Sequence, residues 1–217
     1  MKQVQIERVL ADLKDRDIQV KRLAIKAILK DSEKPDDIMA TALESADSLT
    51  KEIVYDEVFN DTRDFSSLFF EATKDADPRI RATAIRYLFQ KNSLKMEDAL
   101  TWLEDGDPYV RRRTLSYLAW TTEVPIKKIS RLALADNDLS LRKEALRVLG
   151  VKRSREAVGD VIKVLNDAEG DLKVQAIKTL EKITGVGFGE AMGASDEELE
   201  WISAKWISWW DLTGGGN

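Results

Sequence analysis

The sequence predicts an all-α fold assembled from consecutive helical hairpins. Three observations predict it: a pattern that returns at a fixed interval, an apolar stripe of helical spacing inside each copy, and prolines confined to helix starts. The stretch DPRIRATAIRYLF, Asp77 to Phe89, returns 30 residues later as DPYVRRRTLSYLA, Asp107 to Ala119. Further copies begin at Asp17, Asp47, Asp138 and Glu169, so successive starts lie 30, 30, 30, 31 and 31 residues apart. Register held over that many copies is the mark of a repeat architecture.

Inside each copy the first inward position reads Ala24, Val54, Ala84, Thr114, Ala145, Ala176. The residue after it reads Ile25, Tyr55, Ile85, Leu115, Leu146, Ile177, and three further on come Ile28, Val58, Leu88, Leu118, Leu149, Leu180. This i, i+1, i+4 stripe is one face of an amphipathic helix. A second, shorter apolar segment precedes each copy: VLADL, MATAL, FFEAT, ALTWL, ISRLA and VIKVL. The six hairpins are therefore expected over 1–30, 31–60, 61–90, 91–120, 121–151 and 152–183. One hairpin cannot bury its own stripe, whereas stacked hairpins bury it against their neighbours. The four prolines agree: Pro78 and Pro108 follow Asp77 and Asp107 as first helical residues, and Pro35 and Pro125 open first-type helices. Asp17, Asp77, Asp107 and Asp138 each stand where a helix begins, preceded two places earlier by another aspartate. A carboxylate there caps free N–H groups and meets the positive end of the helix dipole, which explains the pairs without a metal.

DADPRIRATAIRYL and DNDLSLRKEALRVL carry the pattern Asp-x-Asp-Pro-x-Val-Arg followed by Ala-x-x-Ala-Leu most fully. This pattern resembles the HEAT repeat, in the short form named after phycobilisome lyases, over roughly residues 1–183. The resemblance implies a right-handed α-solenoid with the second helix of each hairpin lining the concave side. It also implies an inter-repeat ladder in which Arg81, Arg111 and Arg142, four residues past the capping aspartates, meet aspartates. The second copy departs from the pattern, with Glu52 and Asp56 where basic residues are usual.

After residue 183 the repeat stops. A glycine-rich connector spans 184–194, an amphipathic helix is expected over 195–212, and 213–217 reads as a flexible tail. Ser195 and Glu198 form a capping box. Trp206 and Trp209 lie on the stripe of this helix with Trp210 beside it, and Trp201 lies off it. Terminal units of repeat proteins are atypical because they cover the last apolar face, so this helix reads as a cap. The GVGFG run follows a helix, whereas a dinucleotide loop follows a strand and opens a helix.

With 217 residues, no cysteine and no histidine, the chain lacks disulfide and thiol chemistry and the commonest general base. No catalytic motif, metal site or cofactor is expected. No membrane span or signal peptide is read, and a cytoplasmic protein is expected. The net charge of −5 is uneven. Residues 44–77 hold 3 basic and 10 acidic residues, net −7; residues 78–155 hold 17 and 9, net +8; residues 156–217 hold 5 and 12, net −7. If the resemblance sets the geometry, Lys26, Arg86, Arg112, Lys143, Arg147 and Lys178 line the concave face. Tyr87 and Tyr117 either project into that groove or fill gaps between helices. The leading expectation is a non-enzymatic scaffold that binds an acidic protein segment on repeats three to five. The runner-up is nucleic-acid binding, since HEAT-like DNA glycosylases cradle DNA with such a surface. A lyase or chaperone-like accessory subunit comes third.

Overall fold

The computed structural model describes residues 3–166 and 170–213. The start of the sixth copy at Glu169 and residues 214–217 of the tail lie outside the described residues. Among the described residues the fold is all-α, with no strand. Its helices are α1 (Gln3–Asp12), α2 (Ile18–Asp31), α3 (Pro35–Glu44), α4 (Ser48–Phe59), α5 (Ser66–Ala72), α6 (Pro78–Gln90), α7 (Met96–Trp102), α8 (Pro108–Leu118), α9 (Ile126–Ala135), α10 (Leu139–Val151), α11 (Val158–Val164), α12 (Gly170–Thr184) and α13 (Asp196–Leu212). A 3-10 turn, Arg155–Ala157, leads into α11. The chain divides into two compact units, residues 1–95 and 96–217.

The helix starts are set locally. Asp17, Asp77 and Asp107 each accept a hydrogen bond from the backbone N–H two residues on, at 2.8, 2.9 and 2.8 Å. Asp47 and Asp138 accept from the N–H three residues on, at 2.7 Å each. The preceding aspartates extend the cap by one step: Asp15, Asp75, Asp105 and Asp136 accept the N–H of the capping residue itself at 2.8–2.9 Å. Each Asp-x-Asp pair therefore satisfies two backbone donors at the helix start, two or three residues apart, that the helix leaves free. Pro35, Pro78 and Pro108 begin α3, α6 and α8, where a missing N–H costs nothing.

In the first unit α2 packs on α1, α3 and α4, α4 on α6, and α6 on α5. The inward stripe is buried: Ala24, Ile25, Ile28, Val54, Val58, Ala84, Ile85 and Leu88 are at most 4% exposed. An aromatic cluster fills the space between α4, α5 and α6. The Phe69 ring stacks on Tyr87 with centroids 3.8 Å apart and meets Tyr55 at 5.2 Å, while Phe59 stands edge-on to Tyr87 at 5.6 Å.

In the second unit α10 packs on α8, α9 and α12, and α11 on α9 and α12. Leu115, Leu118, Ala145, Leu146, Leu149, Ala176, Ile177 and Leu180 are fully buried. Thr114, the one polar residue in the inward series, is also fully buried, and its hydroxyl donates to the Val110 carbonyl at 3.0 Å. Helix α13 folds onto α11 and α12. Its capping box closes between Ser195 and Glu198. Trp206 is fully buried, edge-on to Phe188 and Trp209 at 4.9 and 5.4 Å. Trp209 and Trp210 are half-buried and Trp201 is 56% exposed with Lys205 over its ring. The connector's glycines have steric reasons: Gly185 has φ +75°, and Gly189, at φ +148°, lies so close to Ile202 that a Cβ would meet it at 3.2 Å.

Candidate functional site

The basic residue four places past each cap is engaged by the protein's own groups. Arg111 makes a two-pronged pair with Asp136 at 2.8 and 3.1 Å and donates back to the Asp105 carbonyl at 2.8 Å. Lys51 reaches Asp75 at 2.6 Å. Arg81 donates to the Asp75 and Ala76 carbonyls, and Arg142 to the Ala133 carbonyl. Lys21 differs. The residue aligned with Asp75 and Asp136 is Ser45, and the Lys21 ammonium, 4% exposed, donates instead to the Thr50 hydroxyl at 2.7 Å and the Leu13 carbonyl at 2.6 Å. These carboxylates are occupied by backbone N–H groups and by cations. No group of three or more His, Cys, Asp or Glu among the described residues is placed to hold a metal ion.

A groove of about 370 Å³ runs across α2, α4 and α6 of the first unit, beside two other concave sites in the same unit. Its lining sets Ile18, Leu49, Ile53 and Ile80 among the charged Arg22, Glu52, Asp56, Arg79 and Arg86. Ile18 and Leu49 are 40% and 47% exposed. Arg22 of α2 reaches across to Asp56 at 3.3 Å and to Glu57, and the Glu57 hydrogen bond is the main reason its pKa is raised. Arg79 of α6 reaches back to Glu52 at 3.0 Å and holds Asp77 at 2.9 Å. The acids that set the second repeat apart thus neutralise arginines of the helices on either side. Lys26, exposed on α2, lies 3.9 Å from Glu57.

Arg86 is left over. Its guanidinium lies 4.3 Å over the Phe59 ring, lines the groove, and has no ion pair among the described residues. Its Nε is buried without a hydrogen-bond partner. An unsatisfied buried donor of this kind costs about 1–3 kcal/mol, more when charged.

Tyr87 requires a correction. As a groove-lining residue it is excluded, because it is 1% exposed. The ring stacks on Phe69, and its hydroxyl accepts the Phe65 N–H at 2.8 Å. A large aromatic with one polar atom is better placed where that atom finds a partner in the core. Burial also raises its pKa. The aromatic partner of Arg86 is Phe59, which sequence reasoning passed over along with Ile18, Leu49 and Arg79. The available signal was that Ile18 and Leu49 stand in first helical turns, one and two residues past a cap.

In the second unit the basic row is largely answered by its own acids. Arg147 grips Glu144 at 2.6 and 2.7 Å, which raises its pKa, and Ser116 donates to the same carboxylate at 2.9 Å. Lys143 holds Asp171 at 2.6 Å and lowers that carboxyl's pKa. Arg112, Tyr117 and Lys178 are half-buried, and burial raises the pKa of Glu181 despite the opposing charge of Lys178. No helix among the described residues is long and apolar enough to cross a membrane.

Comparison with known proteins adds little. No family model matches the chain, and no curated protein does. Among solved structures the chain is similar to a crystal structure of an engineered protein, at 16% identity over 96% of each chain with a TM-score of 0.41. That likeness is too distant to carry fold or function across.

Proposed function

We propose that the chain is a HEAT-like module, its hairpins stacked in solenoid fashion within each unit, that works by binding an acidic protein segment and catalyses nothing. The observation that supports this reading most is Arg86. Its charge stands in a groove, with an aromatic ring beneath it and no ion pair among the described residues. Lys143 and Arg147 already have acids, so the groove of α2, α4 and α6 is the better site than the row of repeats three to five taken whole. A nucleic-acid track needs several free cations to meet successive phosphates. Arg22 and Arg79 are instead neutralised by Asp56, Glu57 and Glu52.

Panning a random peptide library against the intact chain tests the proposal. Acidic segments are expected to be enriched, and enrichment should fall on Arg86→Gln. Enrichment of basic or neutral segments would overturn it. So would retention of duplex DNA in a gel shift at low ionic strength with no acidic peptide captured.

A further inference from the structure

A second concave site of the first unit, about 590 Å³, has Leu13, Lys14, Lys21, Ser45, Asp47 and Thr50 in its lining. It surrounds an incomplete rung. In two later rungs a basic residue meets the acid that stands two places before the next cap: Lys51 holds Asp75 at 2.6 Å and Arg111 holds Asp136 at 2.8 Å. Lys21 is the equivalent cation, and the residue two places before the Asp47 cap is Ser45. The Lys21 ammonium is buried and forms no ion pair among the described residues; it donates to the neutral Thr50 hydroxyl and Leu13 carbonyl. Those two bonds use two of its three donors. A lysine so deeply buried is ordinarily paired with an anion. Asp47 does not fill the gap, because its carboxylate caps α4 by accepting the Thr50 N–H at 2.7 Å.

We infer that Ser45 is a phosphorylation site, and that its phosphate completes this rung by pairing with Lys21. Ser45 is exposed in the connector between α3 and α4, where a protein kinase can reach its hydroxyl. In the transfer the Ser45 Oγ attacks the γ-phosphorus of a nucleoside triphosphate. The new O–P bond forms as the bond to the leaving nucleoside diphosphate breaks, and the hydroxyl proton passes to a base of the kinase. A phosphoserine oxygen stands one bond further from the backbone than an aspartate oxygen, so the reach that closes the later rungs suffices here. The group brings nearly two negative charges and three acceptor oxygens to an ammonium with a donor to spare. Lys14 adds a second cation to the site. The cap acid two places on is no obstacle. Asp75 and Asp136 coexist with Asp77 and Asp138 at that spacing, and each also accepts the cap's N–H at 2.9 Å. The Asp47 N–H and the start of α4 offer the phosphate the same welcome.

The test has two arms. In the first, the full chain carrying phosphoserine at position 45, installed by codon-directed incorporation, is compared with the unmodified chain and with Ser45→Asp, which restores the residue of the later rungs. Each is also made with Lys21→Met. Phosphoserine should raise the melting temperature by about 4 °C and Ser45→Asp by less. Both gains should vanish with Lys21→Met. In ³¹P spectra the second ionisation of the phosphate, ordinarily about 6, should lie lower in the folded chain than in the same chain unfolded in urea, a comparison that needs no variant. A gain that survives Lys21→Met, no gain at all, or an unmoved ionisation would overturn the pairing. In the second arm, mass-spectrometric mapping of the chain isolated from its native cells is expected to find phosphate on Ser45. Phosphate on Ser48 in its place, or none on Ser45, would overturn the modification.

Discussion

Arg86 and Arg147 occupy the same slot, two repeats apart, and have opposite fates. Arg147 is clamped by Glu144, three residues before it on the same helix. The residue three before Arg86 is Thr83, which offers no charge, and Arg86 lies on Phe59 of the neighbouring helix instead. One side chain thus decides whether a basic residue of the second helix is spent within its own repeat or left available. The rungs between repeats show the same contrast. Arg111 meets Asp136, whereas Lys21 faces Ser45's position and settles for a hydroxyl and a carbonyl. A repeat protein supplies its own controls, because equivalent slots share a backbone and differ by single residues.

The largest effect should come from the aromatic cluster between α4, α5 and α6 of the first unit. Phe69→Ala removes a fully buried ring from between Tyr55, Phe59 and Tyr87 and should cost about 3–5 kcal/mol in chemical denaturation. The loss should fall on the first unit. Loss of hydrogen-exchange protection in α8–α12 instead would break the two-unit comparison. Next come the rungs. Arg111→Ala strands Asp136, whose side chain is 9% exposed, and should cost about 3 kcal/mol. Lys21→Met strands no carboxylate and should cost about 1 kcal/mol. Equal losses would show that the missing acid at Ser45 has no energetic meaning. Thr83→Glu gives Arg86 the partner that Arg147 has and should weaken acidic-peptide binding about tenfold, or about 1.4 kcal/mol, with the melt unchanged.

The smallest effect is a pH dependence of the first unit. Burial is the main cause that pushes the Tyr55 hydroxyl up to about 12 from 10.0. Its folded value lies above its unfolded one, so the stabilisation it contributes is whole below pH 10.0 and is lost as pH rises through about 12. Urea midpoints should fall across that window, and Tyr55→Phe should flatten the fall. On the acid side, Asp47 is held low chiefly by its hydrogen bond with the Thr50 side chain, and Asp77 by that with Arg79. Their contribution is present above 3.8 and drains away below it.

The helices and their caps were legible because they depend on residues one to four places apart. Asp75 and Asp77 cap α6 through the next N–H groups, and nothing distant decides it. The site was only half legible. Arg86 stood out, but its neighbour Tyr87 points into the core, and its real partner Phe59 lies 27 residues earlier on another helix. Glu52 and Asp56 were visible as departures from the pattern. That they quench Arg22 and Arg79 depends on pairing between helices, which spacing within one helix does not encode.

The most direct measurement compares the two arginines in one experiment. In a ¹⁵N–¹H spectrum of the intact chain, the Nε–Hε signals of Arg86 and Arg147 can be assigned by their loss in Arg86→Lys and Arg147→Lys. On titration with an acidic peptide, the Arg86 signal is expected to move saturably while that of Arg147 stays fixed. Movement of the Arg147 signal with Arg86 unmoved would contradict the assignment of the binding site to the groove of α2, α4 and α6.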